Sequence, residues 1–599
     1  MNEKYPVLST LKKMISNVTN LNRTIYVYFI FYTLATAIYP FFAIILPKLL
    51  ITELTREATD SLNRILFITG GFFLAAGFVG FLKSFLLNYA YPEITKLRIN
   101  YIRDIFEKIV GVDYKHMEDA TFFEKNNRAM EATSSNDNGV EGVYHKLFEI
   151  PAIFLSILIL TIFIGRLSIF ILIGLLVNVG ISIWIRRSVH NYQYSLKEAL
   201  AHEERKKRYY FNTTHDFGYG KDIRLYQFRD QILDNYTNDV NKYIGIHKKI
   251  KNRELQLSFL DLGCLFISNG LTYGFLIYMV VNGMSIADFS MYITAVTSLS
   301  LLLNKGSEEF TFIINEGQYV HDFYEFLEKD LGEAGGEKLR EEDTLEIVFD
   351  KVSFKYPGTD HYIIKDLDFT IHKGEKLAIV GINGAGKSTL VKLMTRLFDV
   401  TEGEIRINGI PIKNFNKKEL YAMFSVVFQD INILAFSVSE NIACSIEQIN
   451  EDKVEHAIEK VGLLEKISQL PKKFNHPMLK VIEEDGVEFS GGESQKLAIA
   501  RALYKDGNMV IMDEPTAALD ALAEAEIYEN FSELVKGKTA VYISHRLAST
   551  KFCDKIALFD KDGLKEYGNH EELMKEQGAY YKMFTIQGKY YKEEGVMNG

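Results

Sequence analysis

The sequence predicts two unlike domains: an all-α membrane domain of six helices over residues 1–330, then an α/β domain over 344–599. Long apolar runs crowd the first part, alternating apolar residues open the second, and a charged, glycine-containing linker at 331–343 separates them. Across 599 residues these halves average to 47% hydrophobic content and a net charge of −10, which argues against a general nucleic-acid binder. Cys264, Cys444 and Cys553 lie far apart and suggest neither a disulfide framework nor a metal-ligand spacing.

A helix needs about 20 apolar residues to cross a bilayer. The stretches expected to do so lie near 25–51, 65–91, 147–165, 167–186, 257–282 and 285–315. The third and fourth meet at Gly165-Arg166, and only Asn282-Gly283-Met284 parts the fifth from the sixth, so both pairs read as helical hairpins. Lys305, Glu308 and Glu309 interrupt the sixth, which leaves open a helix that exits the membrane early and continues in water. Lys83, Asp261 and Lys305 lie in or near spans, where a charge marks either a pathway or a side chain that snorkels to the interface.

Basic residues set the orientation. Segments 1–24, 92–146 and 187–256 carry four, eight and fourteen Lys or Arg, whereas 52–64 carries two, Arg166 stands alone, and 282–284 has none. Both termini are therefore expected in the cytoplasm, in a cell membrane. Ile99, Ile102, Ile105, Phe106 and Ile109 recur at helical spacing, so the long basic connections read as helices that extend the spans. Residues 1–24 lack the apolar core of a cleavable signal; Leu8, Leu11, Ile15 and Val18 share one helical face instead, as in a short interfacial helix or a frayed terminus.

In the second domain, Leu345, Ile347 and Phe349, then Val352 and Phe354, read as strands. Lys376 to Val380 reads as a buried strand and Thr389 to Met394 as a helix start, and between them runs Gly381-Ile382-Asn383-Gly384-Ala385-Gly386-Lys387-Ser388-Thr389. Glycines let backbone N–H groups close on phosphates at the positive end of a helix; Lys387 adds a charge to the β- and γ-phosphates, and the Ser388 hydroxyl can ligate Mg²⁺. Met509 to Glu514 reads as a buried strand ending in two carboxylates, with Asp513 placed to hold Mg²⁺ and Glu514 to face an attacking water. These residues imply a nucleotide and Mg²⁺ as cofactors of a P-loop nucleotide-binding domain.

Phe489-Ser490-Gly491-Gly492-Glu493, followed by the helical run from Ser494 to Leu503, resembles the signature of ABC transporters, and the whole chain is similar to a half-size transporter of the exporter type. The resemblance implies ATP hydrolysis coupled to transport, with Glu514 as general base and Lys387 neutralising charge. It implies that Ser490, Gly491, Gly492 and Glu493 contact a γ-phosphate held by a second half-transporter, the same chain or a related one. Tyr356 resembles the aromatic that stacks on adenine, Gln429 the residue that senses Mg²⁺ and water, His545 the switch histidine on the γ-phosphate, and Asp520 part of a loop crossing the dimer seam. Residues 113–119 with Phe122 and Phe123 resemble the first coupling segment, and 220–224 the second. Position 493 is Glu where Gln is commoner, which adds negative charge beside a polyphosphate; Glu483 to Gly486 only partly matches the segment that contacts opposing membrane helices. The transported substrate is unknown, and two alternatives stay open: import on the same scaffold, or a regulatory membrane ATPase without vectorial transport. The six spans exclude a soluble ATPase and imply a lipid bilayer as partner, with no nucleic acid.

Overall fold

A computed structural model describes residues 7–21, 23–56, 61–329, 344–515, 535–545, 547–561 and 563–597. The expected linker at 331–343 and Asp520 lie outside the described residues. Packing divides the chain into two units, Met1–Val110 with Glu124–Lys329, and Gly111–Phe123 with Asp330–Gly599. The first coupling segment thus groups with the nucleotide domain rather than with the helices that flank it.

In the first unit, α1 (Val7–Leu21), α2 (Ile25–Leu54), α3 (Ser61–Gly111), α4 (Ala120–Glu131), α5 (Gly139–Gly165), α6 (Ile169–Ser195), α7 (Lys197–His215), α8 (Gly220–Leu225), α9 (Arg229–Val281) and α10 (Ile286–Glu328) follow in order. Six of these, α2, α3, α5, α6, α9 and α10, are long and apolar enough to cross a membrane. They outrun the apolar stretches because helical hydrogen bonding does not stop where hydrophobicity does. At 53 residues, α9 is about 80 Å long, well beyond an apolar core of about 30 Å. The sixth helix continues past Lys305 to Glu328 without a break.

Ile44, Leu160, Ile164, Leu175, Leu276, Ala295 and Leu299 form a packed apolar core in this unit. Phe67, Leu74, Phe170 and Phe266 are each at least three-quarters exposed, an apolar surface suited to lipid. In α1 the buried residues are Thr10, Met14 and Val18, while Leu8 and Ile15 face outward. Leu8 and Ile15 of the expected apolar face stay outward, while Val18 of the same face is packed. Polar anchors turn the helix: Asn17 donates to the hydroxyls of Tyr101 and Tyr324, and Tyr144 donates to the Met14 carbonyl.

The second unit holds two sheets. β1 (Ile347–Phe354), β2 (Ile364–Ile371), β4 (Glu402–Ile407) and β5 (Ile410–Pro411) make an antiparallel sheet in the order β2-β1-β4-β5. β3 (Lys376–Gly381), β6 (Phe424–Val427), β7 (Met509–Asp513), β8 (Thr539–Ile543), β9 (Lys555–Asp560) and β10 (Gly563–Gly568) make the other, in the order β10-β9-β3-β8-β7-β6. Pairings β6 to β7, β7 to β8, β8 to β3 and β3 to β9 are all parallel. Continuous apolar runs such as Met509 to Met512 suit strands covered on both faces.

Candidate active site

Parallel pairing carries four chain segments to one edge of the sheet, because each strand ends at the same side. Asp513 at the end of β7 lies in register with Ile543 of β8, and Ile543 with Ile379 of β3. The glycine-rich loop leaves β3, Gln429 follows β6, Asp513 and Glu514 end β7, and His545 follows β8. This is the edge at which such sheets bind ligands.

Gly381, Gly384 and Gly386 have φ of +153°, +81° and +83°, a region that favours glycine. A Cβ at Gly381 would lie 2.0 Å from the Phe559 carbonyl oxygen, so the loop closes on β9 only because that atom is missing. Gly386 stands before the helix α11 (Lys387–Met394), whose free N–H groups point into the loop. Lys387 is buried and donates to the carbonyls of Gly381 and Ile382 at 3.1 and 3.0 Å. Burial lowers the pKa of its ammonium, and the negative charges of Glu514 and Asp513 oppose that. Ser388 and Thr389 occupy the first turn of α11, and Ile382, Asn383 and Ala385 complete the loop.

Asp513 is 3% exposed and its Oδ1 has no hydrogen-bond partner. Burial raises its pKa above the usual carboxylate value, with Ser388 bonding and Lys387 pulling the other way. An orphaned carboxylate oxygen, the Ser388 hydroxyl and the nearby Gln429 amide form an all-oxygen donor set that fits Mg²⁺. Because the folded-state pKa of Asp513 is raised, its ionisation costs stability as pH rises through that value. Asp513→Asn is therefore expected to raise the ligand-free thermal midpoint at pH 8 by roughly 2–4 °C, with little change at pH 4. It should also abolish the further rise that Mg²⁺ and ATP produce, and thermal scans at both pH values check this.

Glu514 adopts φ of +52°, a left-handed conformation that turns its side chain off the strand axis. Two contacts hold the turn: its N–H donates to the Ile543 carbonyl at 3.0 Å, and its carbonyl accepts from Gln495 Nε2 at 3.1 Å. The carboxylate is grasped on both sides, by His545 Nε2 at 2.6 Å and by Gln429 Nε2 at 3.3 Å. Three residues far apart in sequence thus meet on one carboxylate. The Glu514 and His545 contact is a pairing that the resemblance alone did not supply.

Tyr356 follows β1, bonds Thr389 through its hydroxyl at 3.1 Å and packs edge-on against Phe354 and Phe398. The ammonium of Lys392 lies 5.3 Å from its ring centroid and 2.7 Å from Glu118 of the first coupling segment. Lys115 and Asp113 of the same segment pair with Asp399 and Lys417 at 3.1 and 2.8 Å. The expected adenine platform is therefore wired to the coupling segment through Lys392, a residue that belongs to no motif and that periodicity could not single out.

Ser490 caps α12 (Gly491–Lys505) in a reciprocal box: its hydroxyl accepts from the Glu493 N–H, and the Glu493 carboxylate accepts from the Ser490 N–H at 2.8 Å. Ser490 and Gly491 are exposed, and Gly492 is half-buried. Glu493 also pairs with Lys466 at 2.6 Å, whose ammonium lies 4.9 Å from the Phe489 ring centroid. Burial disfavours the charged form of Glu493, but Lys466 and Ser490 outweigh it and hold the pKa below the usual value. The extra negative charge read from the sequence is thus matched by a cation 27 residues away, which no local pattern reveals. Lys466→Met is expected to raise the KM for ATP about threefold to tenfold with little change in kcat, a modest effect because the pair is partly solvated. Glu493→Gln in the same chain should restore it, as ATP titrations of hydrolysis will show.

Residues 364–517 match the ABC transporter family. The fold matches a bacterial Atm1-family ABC exporter with ATP bound, with a TM-score of 0.80 over 96% of this chain and 99% of that one at 21% identity. Residues 364–517 thus form an ABC transporter domain, and the chain as a whole has an exporter-type fold. This half-transporter is 27% identical over 578 residues to the subtilin transport ATP-binding protein of Bacillus subtilis, covering 95% of this chain and 92% of that protein. It is 38% identical over 229 residues to the ATP-dependent lipid A-core flippase of Alkalilimnicola ehrlichii, spanning 38% of each. The ABC transporter domain and the six helices long and apolar enough to cross a membrane support ATP-driven transport by a multi-pass membrane protein.

Proposed function

We propose that this half-transporter pairs with a second copy or a related half in the cell membrane, with termini and nucleotide domains cytoplasmic, and exports an amphipathic small molecule, lipid or peptide. The observation that carries the reading is a divided site. The phosphate loop, Asp513, Glu514, Gln429 and His545 converge on one edge, while the signature residues Ser490 and Gly491 stand in solvent. In the first unit, Phe217, Leu225 and Tyr226 around the second coupling segment are 95%, 75% and 66% exposed, apolar side chains suited to a partner's groove.

In this reading Ser388, Gln429 and Asp513 would hold Mg²⁺, which when bound offsets charge on the β- and γ-phosphates. Glu514 takes a proton from water as the water oxygen bonds to the γ-phosphorus and the bond to the ADP oxygen breaks. His545 and Gln429 fix that carboxylate, and His545 reaches the γ-phosphate. Lys387 counters the developing charge. Ser490 and its neighbours on the partner grip the same γ-phosphate, so ATP favours closure and hydrolysis releases it. Lys392 and the first coupling segment pass the change to the membrane helices, and cargo moves if its affinity differs between states.

Purified protein in inside-out vesicles is expected to accumulate a cargo only with ATP, and the same cargo should stimulate hydrolysis. Hydrolysis without flux across panels of lipids, peptides and drugs would remove the transport reading.

A further inference from the structure

A helix near the C-terminus reaches back to the catalytic edge. α13 (Ala579–Met597) lies well beyond the 364–517 match to the transporter family. Tyr580, Phe584 and Gln587 are spaced four and three residues apart, so they share one helical face. That face covers the short helical turn Leu547–Phe552, which follows β8 and His545. Tyr580 is fully buried, and its hydroxyl bonds that of Thr550 at 2.7 Å. The ammonium of Lys551 lies 5.3 Å from the Phe584 ring centroid, and Leu547 and Tyr580 share an apolar cluster with Val380 of β3 and Leu558 of β9. The start of the helix is fixed as well. Glu566 on β10 accepts from the N–H groups of Ala579 and Tyr580, and a Cβ on Gly578 would collide with that carboxylate.

This packing delivers Gln587 to His545. Its Nε2 donates to the His545 carbonyl at 2.7 Å, and its Oε1 accepts from the Leu547 N–H at 2.9 Å. A primary amide carries donor and acceptor in one plane, as a peptide bond does, so the side chain supplies the two bonds that a neighbouring strand would give if β8 continued. On the upstream side the sheet does the holding: the Ser544 N–H donates to the Ile379 carbonyl, and the Ile543 carbonyl takes the Glu514 N–H. The backbone is thus gripped before and after His545, while its imidazole meets Glu514 at 2.6 Å. That contact tolerates little drift, since a hydrogen bond is lost by about 3.6 Å.

We propose that Gln587 is a positioning residue for ATP hydrolysis: by clamping the His545 carbonyl and the Leu547 N–H, it aims the His545 imidazole at Glu514 and the γ-phosphate. This rests on the role given to His545 above. The C-terminal helix then belongs to the catalytic apparatus, acting through His545 without touching nucleotide.

Full-length protein in lipid discs is compared by single-turnover phosphate release, equilibrium ATP binding and thermal midpoint. Gln587→Met keeps the length and packing of the side chain but removes donor and acceptor. It should slow phosphate release roughly tenfold to a hundredfold, the cost of misplacing a reacting group by about 1 Å, with ATP affinity nearly unchanged. Gln587→Glu, which keeps the bond to Leu547 but sets an acceptor against the His545 carbonyl, should be slowed as well. Glu566→Gln removes an acceptor at the far end of the helix, and should lower the thermal midpoint while release stays at the native rate. Adding Gln587→Met to His545→Ala should cost nothing more than His545→Ala alone, because the clamp acts through that imidazole. Native-rate release from both Gln587 variants beside a slow His545→Ala would overturn the clamp and leave the hydrolysis reading standing. So would losses that multiply in the double variant, or rates that merely follow the thermal midpoint across Gln587→Met and Glu566→Gln. Native-rate release from His545→Ala would instead sink the role of His545, and the clamp with it.

Discussion

Glu514→Gln is expected to lower ATP turnover about a hundredfold to ten-thousandfold, the range that a positioned general base contributes, while ATP still binds within a few-fold of the native affinity. The substitution keeps the size of the side chain and the left-handed turn, which the Ile543 carbonyl and Gln495 hold through backbone atoms. What it removes is an acceptor for the water proton. It also changes the grip from the sides, since an amide cannot accept from both His545 and Gln429 as the carboxylate does at 2.6 and 3.3 Å. His545→Ala should by contrast leave the base chemically intact but poorly aimed. Single-turnover phosphate release and equilibrium ATP binding separate the two, and native-rate phosphate release from the Glu514→Gln protein would end the base assignment.

Complementation between differently tagged copies should give the second large effect. If each site takes its phosphate loop from one chain and its signature from the other, a chain carrying both Lys387→Met and Ser490→Arg disables both sites of a mixed dimer with the native chain. Hydrolysis in that dimer should fall to the background of the doubly mutant homodimer. The same two substitutions placed on opposite chains damage one site twice and leave the other whole, so a substantial part of the native activity should survive. A site complete within one chain predicts that the first mixture keeps half its activity and the second loses all of it. The rates of the two purified mixed dimers therefore decide whether the exposed Ser490 and Gly491 serve a partner.

Much of the architecture is legible in residue order because the relevant physics is local. Apolar length marks a segment able to cross a bilayer, and Gly381 to Thr389 carries its own turn, its own helix start and its own lysine. Apolar length alone does not mark the helix ends, but the helical spacing in the basic connections points past them, and α3, α9 and α10 do run far beyond the apolar stretches, since intrahelical bonds continue wherever polar residues tolerate them. Periodicity alone did not show which face of α1 packs: Asn17 and the Met14 carbonyl, tied to three tyrosines, fix one side, and Leu8 and Ile15 are left outward, as an interfacial helix requires.

The sequence by itself determined the kind of chemistry this protein can attempt: phosphate loop, paired carboxylates and signature are contiguous strings whose backbone demands are met by their own residues. Only the tertiary structure decided which groups act together. Parallel strand order carries Gln429 and His545 onto the Glu514 carboxylate, and long-range folding sets Lys466 against Glu493, Lys392 between Tyr356 and Glu118, and Lys83 over Tyr39. Electrostatic and hydrogen-bond energies fall steeply with distance in space, and distance along a chain does not report that separation until the chain is folded.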